Sequence, residues 1–439
     1  MKPPKPGSAA GLFPAEGRLF MEEHDRADNR DTSLAAQYEA YPYPERDPQD
    51  ETRRLLIGSP SHLREIDYWI FGAQRPASQS LRALVAGCGT GDGAIMLATH
   101  LARAQRPGEV ICLDRSKAAL DIARARAQAR QLSNIHFVQG SLTALATLDL
   151  GLFDYIDCCG VLHHLPDPLA TLTELTRSLA PGGGMGLMVY APYGRTGVYM
   201  VQDALARLAP IDQPPEARLD IARRVMRTLP ATAWLRQNGN FGDHLSGGDA
   251  GLYDLLLNPR DRSYTIAAFL ELMDKAGLES TCLMEPARYD PALFLPDPRL
   301  RSRVAELPAQ VQASIAEELA GNMATHVAYA VRKGCKPARP DPMDFNAVPV
   351  MREIPGAELA RQMRPDNTLA FSFGTLVVPI VLPPQARGIL PLIDGERNVG
   401  QLAEILATRG VGETKFRQVW HESFDMLERL NRVLLRPPP

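Results

Sequence analysis

The chain has 439 residues, of which 45% are apolar and 23% charged, and its formal net charge at neutral pH is −3. This length predicts two or three globular domains, and the charge balance argues against a general affinity for nucleic acid or anionic lipid. The sequence shows neither an apolar run of membrane-spanning length nor the apolar core of a signal peptide, so we predict a cytoplasmic protein without a nucleic-acid or membrane partner.

The six cysteines, which include the adjacent pair Cys158 and Cys159, form no C-x-x-C motif. Three of the six positions lie in or beside predicted buried strands. The pattern therefore indicates buried free thiols in a reducing compartment, and we predict no metal site.

Residues 1–74 are predicted to form an N-terminal arm and a strap. Tyr38, Tyr41 and Tyr43 lie close together, and prolines after the last two force an extended backbone. One interpretation is a strap that packs aromatic rings on the core. The other is a lid over a site, because tyrosines and prolines offer a rigid apolar cover with polar tips.

The apolar run Leu81–Ala86 predicts one buried parallel strand, and a predicted helix follows soon after it. Between them, Gly87, Gly89 and Gly91 alternate with small residues and let the backbone turn sharply beside a ligand. This order is that of a nucleotide-binding unit with the ligand at the strand's carboxyl end. The glycine turn alone is ambiguous, since Gly89, Gly91 and Ala94 also fit the degenerate dinucleotide pattern.

A second predicted strand, residues 109–114, ends on Asp114. A carboxylate at this place can accept hydrogen bonds from both ribose hydroxyls of a nucleoside. The alternative is an N-cap for the helix that starts at Ser116. Further strands are predicted over residues 135–138, 153–158 and 185–191, with helices between them.

Taken in this order, LVAGCGTG, CLD, GSL, FDYIDCCGVLHHLPDP and LAPGGGMGLMVYAP resemble the class I S-adenosylmethionine (SAM)-dependent methyltransferases over about residues 75–195. The resemblance implies an α/β fold with a doubly wound, mostly parallel, seven-stranded sheet, and SAM as the cofactor. The cofactor-binding residues that it implies are Gly87, Cys88, Gly89, Gly91, Asp114, Arg115, Ser141, Leu142 and Gly160.

Two positions depart from that family. Many members have an Asp where Ser141 stands, to contact the adenine amino group. The position before the glycine turn is often acidic in the family, and here it is Ala86. A charged anchor for the methionine amino group would therefore come from elsewhere in the chain.

The remaining segments complete the predicted domain organisation. We predict a SAM-binding core over residues 75–191, an inserted helical lid or regulatory region over 192–262, the end of the methyltransferase fold over 263–335, and a small α-rich, winged-helix-like domain over 341–439. That last segment has 11 Arg or Lys and 12 Asp or Glu, which disfavours DNA binding and favours a protein contact or a homodimer. We expect it to fold separately and to be dispensable for cofactor binding but not for methylating the acceptor.

The segments YEAYPYPERDP and LLNPRDRSYT and the domain order are also similar to bacterial protein-lysine methyltransferases of the rickettsial outer-membrane-protein type. This resemblance implies a protein lysine as the methyl acceptor. Two alternatives stay open: a methyltransferase for a small metabolite, and a catalytically inactive SAM-binding regulator.

Candidate catalytic residues follow the fourth and fifth strands. His163, or its neighbour His164, could act as a base, although a histidine there can instead cap or pack the next helix. Tyr190 and Tyr193 could orient an amine by oxygen contacts or by attraction to the ring face. The predicted catalytic set is therefore His163, Tyr190 and Tyr193.

Overall fold

Seven strands form one central sheet in a computed structural model that describes residues 30–240 and 242–437, without the side chains of residues 243 and 244. Most of the predicted N-terminal arm lies outside the described residues. The strands are β1 Leu81–Ala86, β2 Gly108–Asp114, β3 Ile135–Gln139, β4 Phe153–Cys159, β5 Leu179–Tyr190, β6 Leu278–Leu283 and β7 Thr325–Arg332.

The strand order is β3-β2-β1-β4-β5-β7-β6. Strands β1 to β5 pair in parallel, and β7 runs antiparallel to both β5 and β6. Leu84 packs into an apolar cluster on one face of the sheet, and Val85 packs into another on the opposite face. Because both faces are covered, β1 is apolar at every position except Arg82, as is typical of buried parallel strands. The predicted seven-stranded fold class is confirmed.

The helices surround this sheet and build the segments beyond it. They are α1 over residues 30–40, α2 Leu63–Trp69, α3 Asp92–Arg103, α4 Lys117–Ala129, α5 Pro168–Arg177, α6 Val198–Leu208, α7 Pro215–Thr228, α8 Trp234–Gln237, α9 Asp243–Ser246, α10 Gly248–Leu257, α11 Ile266–Lys275, α12 Pro298–Ala305, α13 Ala309–Ala320, α14 Gly356–Gln362, α15 Ala386–Ile389, α16 Val399–Ala407 and α17 Glu413–Arg429. Short 3-10 helices cover Pro48–Thr52, Leu142–Thr147, Leu162–His164, Pro286–Tyr289, Pro291–Leu293 and Leu390–Leu392. In the part of the chain that the structure describes, no helix has both the length and the apolar character needed to cross a membrane.

The inserted region between β5 and α11 is helical, as predicted, and consists of α6 to α10. It has an apolar core of its own, to which Leu205, Leu219 and Leu256 contribute. Tyr41 stacks on Tyr253 of this region, with ring centroids 5.2 Å apart. The segment after α1 therefore bridges the inserted helices and the central sheet.

The C-terminal segment contains two small antiparallel pairs among its helices. Strand β8 (Val348–Met351) pairs with β11 (Val433–Arg436), and β9 (Thr368–Phe373) forms a hairpin with β10 (Leu376–Val381). The helices agree with the predicted α-rich character of this segment, whereas the strands β8, β9 and β10 were not predicted from the sequence. The winged-helix-like character of this segment stays a prediction.

This C-terminal segment is packed on the rest of the protein, contrary to the expectation that it folds separately. One apolar cluster runs from Ile66 of α2 to Phe416 of α17. Glu65 of α2 is fully buried and accepts hydrogen bonds from Arg352 and, at 2.6 Å, from the Asn431 side-chain amide. Removing the segment would take away two partners of a buried carboxylate, which is strongly destabilising. The expectation of independent folding is therefore corrected.

Candidate functional site

A cavity of about 680 Å³ lies at the carboxyl ends of β1, β2, β4 and β5. Helix α1 and the extended segment 41–62, which we call the strap, contribute to its wall. All the predicted cofactor-binding residues except Gly91 line this cavity: Gly87, Cys88, Gly89, Asp114, Arg115, Ser141, Leu142 and Gly160. The structure thus brings together residues that are spread over more than 70 positions of the sequence.

Gly91 has a different role from the other glycines of the turn. It precedes α3 with φ of 100°, and an added Cβ would lie 2.9 Å from the Cβ of Ala123. Its lack of a side chain therefore lets α3 approach α4 closely behind the cavity. The prediction that Gly91 lines the cofactor site is corrected.

The strap crosses directly over the glycine turn. A Cβ on Gly89, whose φ is 52°, would lie 2.6 Å from the carbonyl oxygen of Tyr43. The Thr90 hydroxyl donates a hydrogen bond of 2.7 Å to the Pro44 carbonyl. Tyr43 and Pro44 also line the cavity, so these contacts favour the interpretation of the strap as a lid over a site rather than as a strap that packs aromatic rings on the core.

Asp114 at the end of β2 holds the backbone around the glycine turn. One carboxylate oxygen accepts the Gly89 N–H at 2.8 Å, and the other accepts the Ser116 N–H at 2.9 Å. Burial raises the pKa of Asp114, although the bonds from Ser116 and Gly89 act in the opposite sense. Ser116 itself caps α4 by accepting from the Ala119 N–H, so the alternative interpretation of Asp114 as the N-cap is corrected.

An ion cluster fixes the strap behind the turn. Arg126 of α4 is 1% exposed, and two of its nitrogens donate to Glu51 of the strap. A third nitrogen donates to Asp92 at the start of α3, 2.7 Å away, and Arg46 of the strap bonds the same carboxylate. Burial alone would raise the pKa of Asp92, but its bonds to Arg46 and Arg126 outweigh burial and lower it. The cluster ties the strap to the cofactor side of the cavity.

The cavity ends, beyond β5, in an acidic and aromatic pocket. Asp254 of α10 is 3% exposed and accepts hydrogen bonds from the hydroxyls of Tyr38 (2.9 Å) and Tyr190 (3.3 Å). Burial raises the pKa of Asp254 and, well above its ordinary value, that of Tyr190. All three residues line the cavity. Sequence reasoning identified Tyr190 but missed Asp254, because nothing in the sequence placed the insertion against β5.

Arg195 also reaches this pocket. Its guanidinium carbon lies 3.7 Å from the centroid of the Tyr190 ring, and it forms a buried ion pair of 3.1 Å with Asp261. Asp261 accepts a second hydrogen bond, of 2.9 Å, from Gln202. The arginine charge is therefore compensated within the wall of the pocket.

The structure separates the predicted catalytic residues. Tyr190 lines the cavity, whereas Tyr193 is 38% exposed and lies outside the lining. His163 is fully buried behind Tyr190, with ring centroids 3.8 Å apart, and burial lowers its pKa well below the ordinary value. His164 lines the cavity instead, and its Nδ1 bonds the Arg260 carbonyl at 2.8 Å. The assignments of His163 and Tyr193 to the reacting site are therefore corrected.

Away from the cavity, His62, His100 and Glu353 offer ligand atoms within 4.8 Å of one another. Burial, followed by the neighbouring His62, lowers the pKa of His100 to about 4. The predicted absence of a metal stays a prediction. All six cysteines are free thiols, and four of them are buried.

Residues 84–185 match a family model described as a methyltransferase domain. An uncharacterized protein of Synechococcus sp. is 32% identical over 289 residues, which are 63% of this chain and 65% of that relative. The ubiquinone biosynthesis O-methyltransferase of Acinetobacter baylyi is 30% identical over 155 residues, 35% of this chain and 60% of the relative. The chain thus spans less than two thirds of the length of these curated relatives.

Among solved structures, PKMT2 from Rickettsia typhi in complex with AdoHcy is similar to 91% of this chain, with a TM-score of 0.57. The similarity covers 76% of that protein at 16% sequence identity. At this identity the similarity is a likeness of fold.

Proposed function

We propose that this chain, which carries a class I SAM-dependent methyltransferase domain, transfers the methyl group of SAM to the side-chain nitrogen of a protein lysine. The observation that carries the choice of an amine is the carboxylate of Asp254, held by Tyr38 and Tyr190 at the end of the cavity. A carboxylate flanked by aromatic rings is a favourable environment for a cationic ammonium group.

The cofactor end of the cavity fits SAM. Gly87 and Gly89 have positive φ and leave the backbone free of side chains, which permits close approach of a ligand. Each Asp114 oxygen accepts one backbone N–H and has a further lone pair for a ribose hydroxyl. When bound, SAM supplies a methyl group already activated by a sulfonium, so the chain's main tasks are positioning and exclusion of water.

The pocket residues can prepare the amine. Asp254 would hold the entering ammonium, and the Tyr190 hydroxyl and ring would fix its direction. The amine would first pass a proton to the Asp254 carboxylate, and its nitrogen would then form the new bond to carbon while the bond from carbon to sulfur breaks. The carboxylate stabilises the charged amine as it enters, whereas desolvation in a partly apolar pocket acts against the charged form and so assists the loss of the proton. Asp261 compensates Arg195, which reduces repulsion of the cation.

The second candidate is O-methylation of a small metabolite. The names of relatives such as the O-methyltransferase of Acinetobacter baylyi favour it, as does the burial of Asp254 on α10 and of Tyr190 at the end of β5. The presence of an acidic pocket beside an intact glycine turn favours an enzyme over an inactive SAM-binding regulator.

Replacing Asp254 with asparagine is expected to keep the hydrogen bonds of the pocket and remove its charge. We expect the rate of lysine methylation to fall by roughly 10²-fold, since the loss is that of one positioned acid–base group. The affinity for S-adenosylhomocysteine, measured by calorimetry, should change less than about twofold because Asp114 is untouched.

The matched control is Asp249→Asn on the same helix. Asp249 is half exposed and pairs with Arg223 at the surface. We expect this variant to methylate lysine at the wild-type rate. An unchanged rate of lysine methylation in Asp254→Asn would contradict the assignment of an amine to this pocket.

A further inference from the structure

Asp157 is a buried carboxylate whose hydrogen bonding is incomplete. It lies in β4, is 2% exposed and lines the cavity. One oxygen accepts the Ser61 hydroxyl of the strap. The other, Oδ1, is buried and has no hydrogen-bond partner among the described residues. Leaving a buried polar atom without a hydrogen bond costs about 1–3 kcal/mol. We therefore expect a bound group to donate a hydrogen bond to Oδ1.

Asp157 lies beside the last residues of β1 in the sheet. Asp157 pairs with Val85 in the parallel register, and residues directly paired on neighbouring strands project to the same face of the sheet. The last three residues of β1, Leu84–Ala86, are all apolar. At this level of the sheet, therefore, β4 provides the carboxylate that β1 lacks.

Gly93, at the start of α3, leaves space beside the Asp157 carboxylate. A Cβ on Gly93 would lie 2.7 Å from the Asp157 Oδ2 and 3.2 Å from the Ser61 hydroxyl oxygen. Gly93 also lines the cavity. The absence of a side chain at this position thus permits the first turn of α3 to approach Asp157 beside the glycine turn.

The neighbouring acid cannot take the same role. Asp92 also lines the cavity, but Arg46 and Arg126 both donate to its carboxylate. Its charge is therefore already compensated by two guanidinium groups. No arginine or lysine pairs with Asp157 among the described residues. Burial raises the pKa of Asp157 to about 6, although the Ser61 hydroxyl and the Cys159 backbone N–H act in the opposite sense, and an adjacent cation would further stabilise the ionised form.

We infer that Asp157 binds the α-amino group of the methionine part of SAM, through the carboxylate oxygen that lacks a partner. The inference rests on the proposed use of SAM in this cavity and assigns a residue to the charged anchor that the glycine turn does not supply. Ser61 orients the carboxylate from the strap. The α-ammonium of the ligand would donate to Oδ1 as a charge-assisted hydrogen bond.

The role of Asp157 is tested by comparing two ligands that both contain adenosine and sulfur but differ in the amino-acid part. S-adenosylhomocysteine carries the amino acid, and 5′-methylthioadenosine lacks it. In Asp157→Asn, calorimetry should show affinity for S-adenosylhomocysteine lowered by about 10- to 100-fold, as for the loss of one charged hydrogen bond. The affinity for methylthioadenosine should change less than about twofold.

Two further variants distinguish binding from structure. Asp114→Asn should weaken both ligands to a similar extent, because the ribose is common to them. Ser61→Ala should retain most of the preference for S-adenosylhomocysteine, since the anchoring carboxylate is still present. If Asp157→Asn weakens both ligands equally, or neither, Asp157 is a structural partner of Ser61 and the inference is overturned. If the wild-type protein binds neither ligand, the proposed function fails and the inference fails with it.

Discussion

Replacing Asp114 with alanine is expected to weaken the binding of S-adenosylhomocysteine by roughly 10²- to 10⁴-fold. Two ribose hydroxyls would lose a charged acceptor, at about 1.5–3 kcal/mol for each bond, and each 1.4 kcal/mol is a factor of ten in affinity. The variant also frees the Gly89 N–H, which Asp114 holds at 2.8 Å in the folded protein. The measurement is a calorimetric titration of the full-length chain.

Asp121→Ala is the control for this variant. Asp121 lies on α4, shortly after Asp114, and forms surface ion pairs with Lys117 and Arg124. Its replacement should leave the affinity for S-adenosylhomocysteine unchanged within error. Equal affinities of the Asp114 and Asp121 variants would show that Asp114 only holds the backbone and does not bind the nucleoside.

Replacing Arg126 with methionine is expected to lower the free energy of unfolding by about 1.5–3 kcal/mol, the contribution of buried hydrogen bonds to charged groups. The long apolar side chain fills much of the same volume but removes one of the two arginine partners of Glu51, which is 5% exposed and keeps only Arg130 among the described residues. The loss also frees Asp92 and the Thr90 carbonyl from their bonds to Arg126. Unfolding in urea, followed by circular dichroism, gives the difference.

Arg124→Met provides the matched comparison two residues earlier on α4. Arg124 is half exposed and pairs with Asp121 at 2.7 Å, and surface pairs of this kind contribute about 0–1 kcal/mol. We therefore expect only a small change in the free energy of unfolding. If the two variants lost the same stability, the buried cluster would contribute no more than a surface pair, contrary to our account.

Much of the core fold could be predicted because its signals are local. The apolar run Leu81–Ala86, the glycines after it and the acid at Asp114 lie within 34 positions, and each reflects a constraint on the backbone or on burial. The resemblance to class I methyltransferases supplied the order of the remaining strands. The cofactor side of the cavity followed from these patterns because the carboxyl ends of parallel strands meet at one edge.

The acceptor side depended on long-range packing, which the sequence does not reveal. Asp254 reaches Tyr38 across 216 positions and Tyr190 across 64, so no spacing rule connects them. His163 and His164 are neighbours in the sequence, and only the 3-10 turn that contains them decides which one lines the cavity.

The C-terminal segment shows the same limit. The sequence predicted that this segment is α-rich and that it folds separately. The contact of Glu65 with Arg352, 287 positions apart, shows instead that the segment completes a buried polar cluster of the core. Nothing in either local sequence could indicate that contact.

The most direct test of the central claim is incubation of the full-length protein with SAM labelled on its methyl group and a cell lysate split into protein and small-molecule fractions. Our account predicts label in the protein fraction, recovered as methylated lysine after hydrolysis, and little transfer by the Asp254→Asn variant. Label confined to the small-molecule fraction, or no transfer to either fraction while S-adenosylhomocysteine still binds, would contradict it.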